Sequence, residues 1–226
     1  IRLKPGEIEI GPTDVRWGVL NFHDHATGKH LHIPANEVTP GSTVALVGDQ
    51  FGASSMLVKS LAGLVEPNDG LIEIGGLEVL RASYGGGGRI VGYAGAIEIF
   101  HGTIQENVDL GRNEVGHARL RDVLTRVGLW DDAISFPEGL RTRVHTDGAP
   151  LSMTQRRKLM LARAMAGGPR LLLIDGLFDG VSDETRQQLW DAVNYDGRPW
   201  TILLATNDVK NANLCDQVIH LAGNHA

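Results

Sequence analysis

The residues of this chain that could do chemistry gather around one glycine-rich turn and the end of one apolar run. Gly48, Asp49, Gln50, Phe51, Gly52, Ala53, Ser54, Ser55 and Met56 follow the run VALV and open a stretch with helical spacing. A turn from a strand into a helix aims backbone N–H groups and the positive helix end at an anion such as a phosphate. The phosphate-loop pattern is G-x-x-x-x-G-K-[S/T]. Gly48 and Ser55 match it, but Ala53 stands for the second glycine and Ser54 for the lysine. Alone, the match suits a purely structural turn equally well. Asp175 ends the run LLLID, and a carboxylate at the end of an apolar strand is harder to explain as structure. Ser152 and Gln155 form an S-x-x-Q pair, the spacing of a capping box that any helix start could use. His23, His25, His30 and His32 are spaced so that a hairpin could gather them for a metal. The alternative is a set of exposed histidines on an antiparallel edge.

The elements that must hold these residues alternate in type. Apolar runs at 44–48, 171–175, 201–206 and 217–223 read as strands covered on both faces. Helical stretches at 53–64 and 182–193 lie between them, the second with Ser182 as its N-cap. Such alternation predicts an α/β fold with a mostly parallel sheet and helices on both faces. The first forty residues and 71–76 read as strands without helices, hence an antiparallel β layer. Residues 103–168 are mainly helical, with a helix over 153–166 stopped by Gly167, Gly168 and Pro169. They read as a helical subdomain inserted between two strands. The run Gly85 to Gly88 reads as a flexible loop.

Composition limits the function classes. The chain has 226 residues, enough for one full domain, with 42% hydrophobic and 21% charged residues. Lys and Arg number 21 against 27 Asp and Glu, so the net charge is −6, which argues against a nucleic-acid binder. Cys215 stands alone, leaving no intrachain disulfide framework. No run is long enough to span a membrane. The first residue is Ile1, which suggests a piece of a longer polypeptide.

From Gly48 onward the chain resembles an ATP-binding cassette (ABC) nucleotide-binding domain of exporter type, without a gap through Gly63, Leu64, Glu66, Pro67, Gly70 and Gly76. HGTIQENVDLGR, from His101, resembles the exporter segment that faces the transmembrane coupling helices. The stretch from Phe136 through Leu151, Ser152, Met153, Thr154 and Gln155 resembles the approach to the signature LSGGQ and its helix. PRLLLIDGLFDGVSDE resembles Walker B with the D-loop, and LLATND the strand that ends in the switch histidine. The likeness spans residues 8–224 in the family's order. It implies a P-loop NTPase fold of ABC type, one domain over 1–226. The core and antiparallel layer would take about 1–92 and 169–226, and the helical subdomain about 93–168.

The resemblance also implies what is missing. The family's phosphate-binding lysine falls on Ser54, its catalytic glutamate on Gly176 and its switch histidine on Asn207. YAGAIEIF (93–100) holds no glutamine where the Q-loop belongs. For the adenine-stacking aromatic the nearest candidate is His23, with Phe22 beside it. Ser55 and Asp175 remain at the positions that bind Mg²⁺ directly or through water, and Asp179 is a further candidate for a substitute base. The resemblance thus implies ATP and Mg²⁺ as cofactors, bound weakly or not at all, and a catalytically degenerate module, a pseudo-ATPase. Its implied partners are a second nucleotide-binding domain and a transmembrane domain outside this fragment, at the cytoplasmic face of a membrane. With phosphate loop and signature both altered, both composite sites of such a dimer should suffer. The alternatives are a working ATPase using replacement residues or a partner's groups, and a structural domain that binds no nucleotide.

Overall fold

The structure, a computed structural model, describes residues 11–24, 29–48, 52–79, 90–112 and 114–221. The glycine run at 85–88 lies outside them. Its centre is a five-stranded sheet of β5 (Thr43–Val47), β8 (Val91–Ala94), β11 (Leu171–Asp175), β12 (Thr201–Ala205) and β13 (Gln217–His220), in the order β13-β5-β12-β11-β8. Every pairing is parallel. Alternate side chains of one strand point to opposite faces, and the two cores divide accordingly. Leu171, Leu173, Leu203, Val44 and Leu46 pack with α1 (Ala53–Leu61). Leu172, Ile174, Ile202 and Leu204 pack with α5 (Met153–Ala166) and α6 (Asp183–Val193). This is the sandwich expected from the continuous apolar runs. The helix expected over 53–64 is shorter, because Gly63 turns left-handed at a φ of +71° and ends it before Pro67 is reached.

The strand-like amino-terminal part forms the antiparallel layer. β1 (Val15–Trp17), β4 (Asn36–Val38), β6 (Ile72–Ile74) and β7 (Leu77–Glu78) pair in the order β4-β1-β6-β7, and β2 (Leu20–Asp24) with β3 (Lys29–Ile33) makes a separate hairpin. Their apolar faces join the α1 core. The segment between β8 and β11 is helical as expected, with α2 (Ile104–Asp109), α3 (His117–Arg126) and α4 (Trp130–Ser135) ahead of α5. It also holds a short ladder of β9 (Gly102–Thr103) with β10 (Arg143–Val144). A last helix, α7 (Val209–Ala212), lies between β12 and β13.

Guanidinium groups fasten this helical segment together. Arg163 on α5 donates to the Asn107 carbonyl at 2.6 Å, the Glu98 carbonyl at 2.7 Å and the Asn107 amide oxygen at 2.8 Å. Burial draws its guanidinium down to about 10, so it stays cationic at neutral pH. Arg112 holds the Val108 carbonyl and the Arg163 carbonyl, and Arg119 holds that of Met165 at 2.7 Å. Thr103 and Glu106 close a capping box at the start of α2.

Candidate functional site

The carboxyl ends of β5, β11 and β12 meet at one edge of the sheet, where parallel α/β sheets expose loops that can bind ligands. Gly48 ends β5. A Cβ there would lie 3.0 Å from the Ala53 Cβ and 3.2 Å from the Ser54 nitrogen, so a side chain would crowd the first turn of α1. Gly52 precedes α1 with a φ of +69° and leaves the helix without a side-chain cap. Its first N–H groups therefore face out of the helix, as anion binding requires. Asp49, Gln50 and Phe51 lie outside the described residues. Ser54, where the resemblance would place the lysine, is a buried neutral residue. Ala53 is buried and Met56 half-buried on the same helix.

Ser55 and Asp175 come together although they are 120 residues apart: the Ser55 hydroxyl donates to Asp175 Oδ2 at 2.7 Å. Tyr93, on the neighbouring strand β8, donates its hydroxyl to the same oxygen at 3.1 Å. Burial, followed by the charge of Asp175, holds the Tyr93 hydroxyl well above the usual phenol value, so it remains a donor. Tyr93 is the site residue that sequence reasoning missed. A signal existed, because Tyr93 pairs with Leu173 and therefore shares a sheet face with Asp175 two residues on. The Ser55 hydroxyl and the Asp175 carboxylate are hard oxygen donors in contact, a set that suits Mg²⁺. These are the residues that would hold the ion, with the first N–H groups of α1 beside them.

The residues after Asp175 point to structure. Gly176 adopts a φ of +64°, and its N–H donates to the Ala205 carbonyl at 3.2 Å. Asp179 does not stand free as a base. Its Oδ1 accepts from the Thr206 hydroxyl at 2.9 Å and from the Asn211 amide at 2.7 Å. Buried Asn211 in turn accepts from Arg186 at 2.6 Å, and Arg157 of α5 holds the carbonyls of Leu177 and Asp179. Asn207 accepts from the Gly48 N–H at 3.3 Å, so it ties β12 to the start of the turn. Ser182 caps α6, accepting from the Thr185 N–H at 3.2 Å.

Ser152 to Gln155 form a complete capping box at the start of α5. The Ser152 N–H donates to Gln155 at 2.9 Å and the Gln155 N–H to the Ser152 hydroxyl at 3.3 Å. The Gln155 amide also reaches Asp132 on α4 at 3.0 Å. Leu151 is buried behind the turn, while Met153 and Thr154 are exposed on the first turn of the helix. The histidine hairpin forms: His23 stands opposite His30, ring centroids 4.4 Å apart, and His32 Nδ1 bonds Asn21 at 3.0 Å. His25 lies outside the described residues. Among the described residues no group of three His, Cys, Asp or Glu is placed to hold a metal.

A parallel sheet with α1 beginning at its carboxyl edge, beside Ser55 and Asp175, has the architecture of a P-loop NTPase fold. The model of the ABC transporter family matches residues 31–178. The chain belongs to the ABC transporter family. It is 24% identical over 215 residues to an uncharacterized ABC transporter ATP-binding protein of Sinorhizobium fredii, covering 94% of this chain and 36% of that protein. An ABC-type transporter of Aspergillus fumigatus is 29% identical over 191 residues, or 82% of this chain and 15% of its own length. The fold of this chain matches a bacterial Atm1-family ABC exporter with ATP bound at a TM-score of 0.80, with 21% identity, over 99% of this chain and 41% of that one. The chain thus spans well under half the length of these relatives. No helix among the described residues is long and apolar enough to cross a membrane.

Proposed function

We propose that the chain is a catalytically degenerate ATP-binding module of a larger exporter-like transporter. In this reading it pairs with a second nucleotide-binding domain and passes its motion to a transmembrane domain at the cytoplasmic face. The observation that carries the proposal is Gly176: no carboxylate follows Asp175, and the backbone there is left-handed, a conformation that disfavours a glutamate. Ser54 and Asn207 support it, as neither supplies the cation or the imidazole that the family's chemistry uses. Met153 and Thr154 crowd the signature turn where a bound phosphate would need to approach, so both composite sites of a dimer are weakened. One domain with a helical subdomain near 93–168 fits the guanidinium network that fastens that segment to α5.

Losing a positioned base lowers rates by roughly 10²–10⁴. Purified protein should therefore release phosphate from Mg-ATP at least about 10²-fold more slowly than the roughly 1–10³ s⁻¹ of working enzymes. Turnover within the working range, free of contaminating ATPase, would end the proposal. A second reading, a structural domain that binds no nucleotide, is favoured by one observation: Asp175 Oδ2 is already satisfied by two hydroxyls. Thermal unfolding with millimolar Mg-ATP separates the readings. A ligand at about a hundred times its Kd adds about 2.7 kcal/mol, whereas the structural reading predicts no shift.

A further inference from the structure

Tyr93 lies next to a glycine that the fold uses in an unusual way. A Cβ built on Gly95 would run into the Tyr93 hydroxyl and ring, the tightest such overlap among the described glycines. Gly95 has no positive φ that would demand glycine, so the requirement comes from the tyrosine. The space over residue 95 is filled by the phenol, which lies across the backbone to reach Asp175 Oδ2. The Ser55 hydroxyl converges on that oxygen from α1. Among the described residues no Lys or Arg pairs with Asp175, so two neutral donors alone stabilise its charge.

Resting on the reading of Ser55 and Asp175 as the cation-holding pair, we infer that Tyr93 is an internal competitor for a divalent cation, admitted to Asp175 by the missing side chain of Gly95. The Asp175 oxygen that touches Ser55, the other member of the pair, already accepts two hydroxyl hydrogens. A cation bound through Oδ2 must displace the phenol, and the lost hydrogen bond weakens metal binding. Tyr93 is a positioning residue here, acting through Asp175 and not on nucleotide. The pair is coupled: Gly95 has a function only while Tyr93 is a tyrosine, and Tyr93 reaches Asp175 only while residue 95 lacks a Cβ.

The test uses Mn²⁺ alone as the probe, with the free ion followed by electron paramagnetic resonance in a titration of the purified protein. A hydrogen bond to a charged group is strong enough that Tyr93→Phe should tighten Mn²⁺ binding about tenfold. Gly95→Ala, which pushes the phenol aside, should shift affinity the same way. Neither gain should survive in an Asp175→Asn background, which removes the charge that the ion and the phenol share. Equal or unmeasurable affinity in Tyr93→Phe and the parent overturns the inference, as does a gain that persists with Asn at 175. Tyr93→Phe keeps the ring and its packing, so the comparison stands even if Gly95→Ala fails to fold. ATP turnover at working rates would remove the degenerate reading yet leave this titration's result unchanged, so the two can fail separately.

Discussion

Two polar clusters share the carboxyl end of the same sheet and are built on different principles. Around Asp175, three elements converge on one carboxylate oxygen, and the donors are two hydroxyls. Around Asp179, carboxylate, hydroxyl, amide and guanidinium close on one another through Thr206, Asn211 and Arg186, with Asn211 fully buried. In the second cluster each buried group has its partner within the fold, and removing any member strands another. The first is satisfied by groups that a ligand could replace. Chemistry can be lost at the first without loss of fold, while the second is tied to the fold itself. That contrast supports the proposal of a degenerate module, in which a domain keeps its family's architecture without the family's chemistry.

Substitutions can sharpen or break the contrast. The largest effect should come from Phe178→Ala, in the loop that carries Asp179. Phe178 is fully buried, edge-on to Trp190 at 6.5 Å, and its truncation should cost about 3–5 kcal/mol in urea unfolding. A loss below 1 kcal/mol would show that the Asp179 loop is not part of the rigid fold. Gly176→Glu should cost about 1–2 kcal/mol, because a left-handed backbone penalises any Cβ. The same variant should gain no phosphate release, since the strained backbone and the nearby Asp179 carboxylate oppose a glutamate there. Recovery of turnover by this single change would show that only a side chain had been lost. The smallest effect belongs to Asn207→Ala on the Asp175 side. Asn207 is exposed and its bond to Gly48 is long, so the change in unfolding free energy should stay within about 0.5 kcal/mol.

Much of the architecture was legible in the chain. Continuous apolar runs such as LLLID identify strands buried on both faces, and the parallel sheet follows from their alternation with helices. The S-x-x-Q spacing at 152–155 foretells its capping box, because the bonds involved are local. What escaped was long-range and depended on side-chain direction. The bond between Tyr93 and Asp175 spans 82 residues and arises only once β8 lies beside β11. The engagement of Asp179 by Asn211 likewise needs α7 placed against the end of β12. A carboxylate that reads as a candidate base in the sequence is, in the fold, an acceptor already in use.

Arg163 carries one mechanical consequence. Its planar head grips the chain at 98 and 107 while its stem is rooted nearly three turns along α5, in that helix's last turn. Three short bonds on a rigid plane leave little slack between these parts. A push on the 98–107 segment therefore lands on the carboxyl-terminal end of that helix, like a load on a beam held at one end, where Arg112 adds a second fastening.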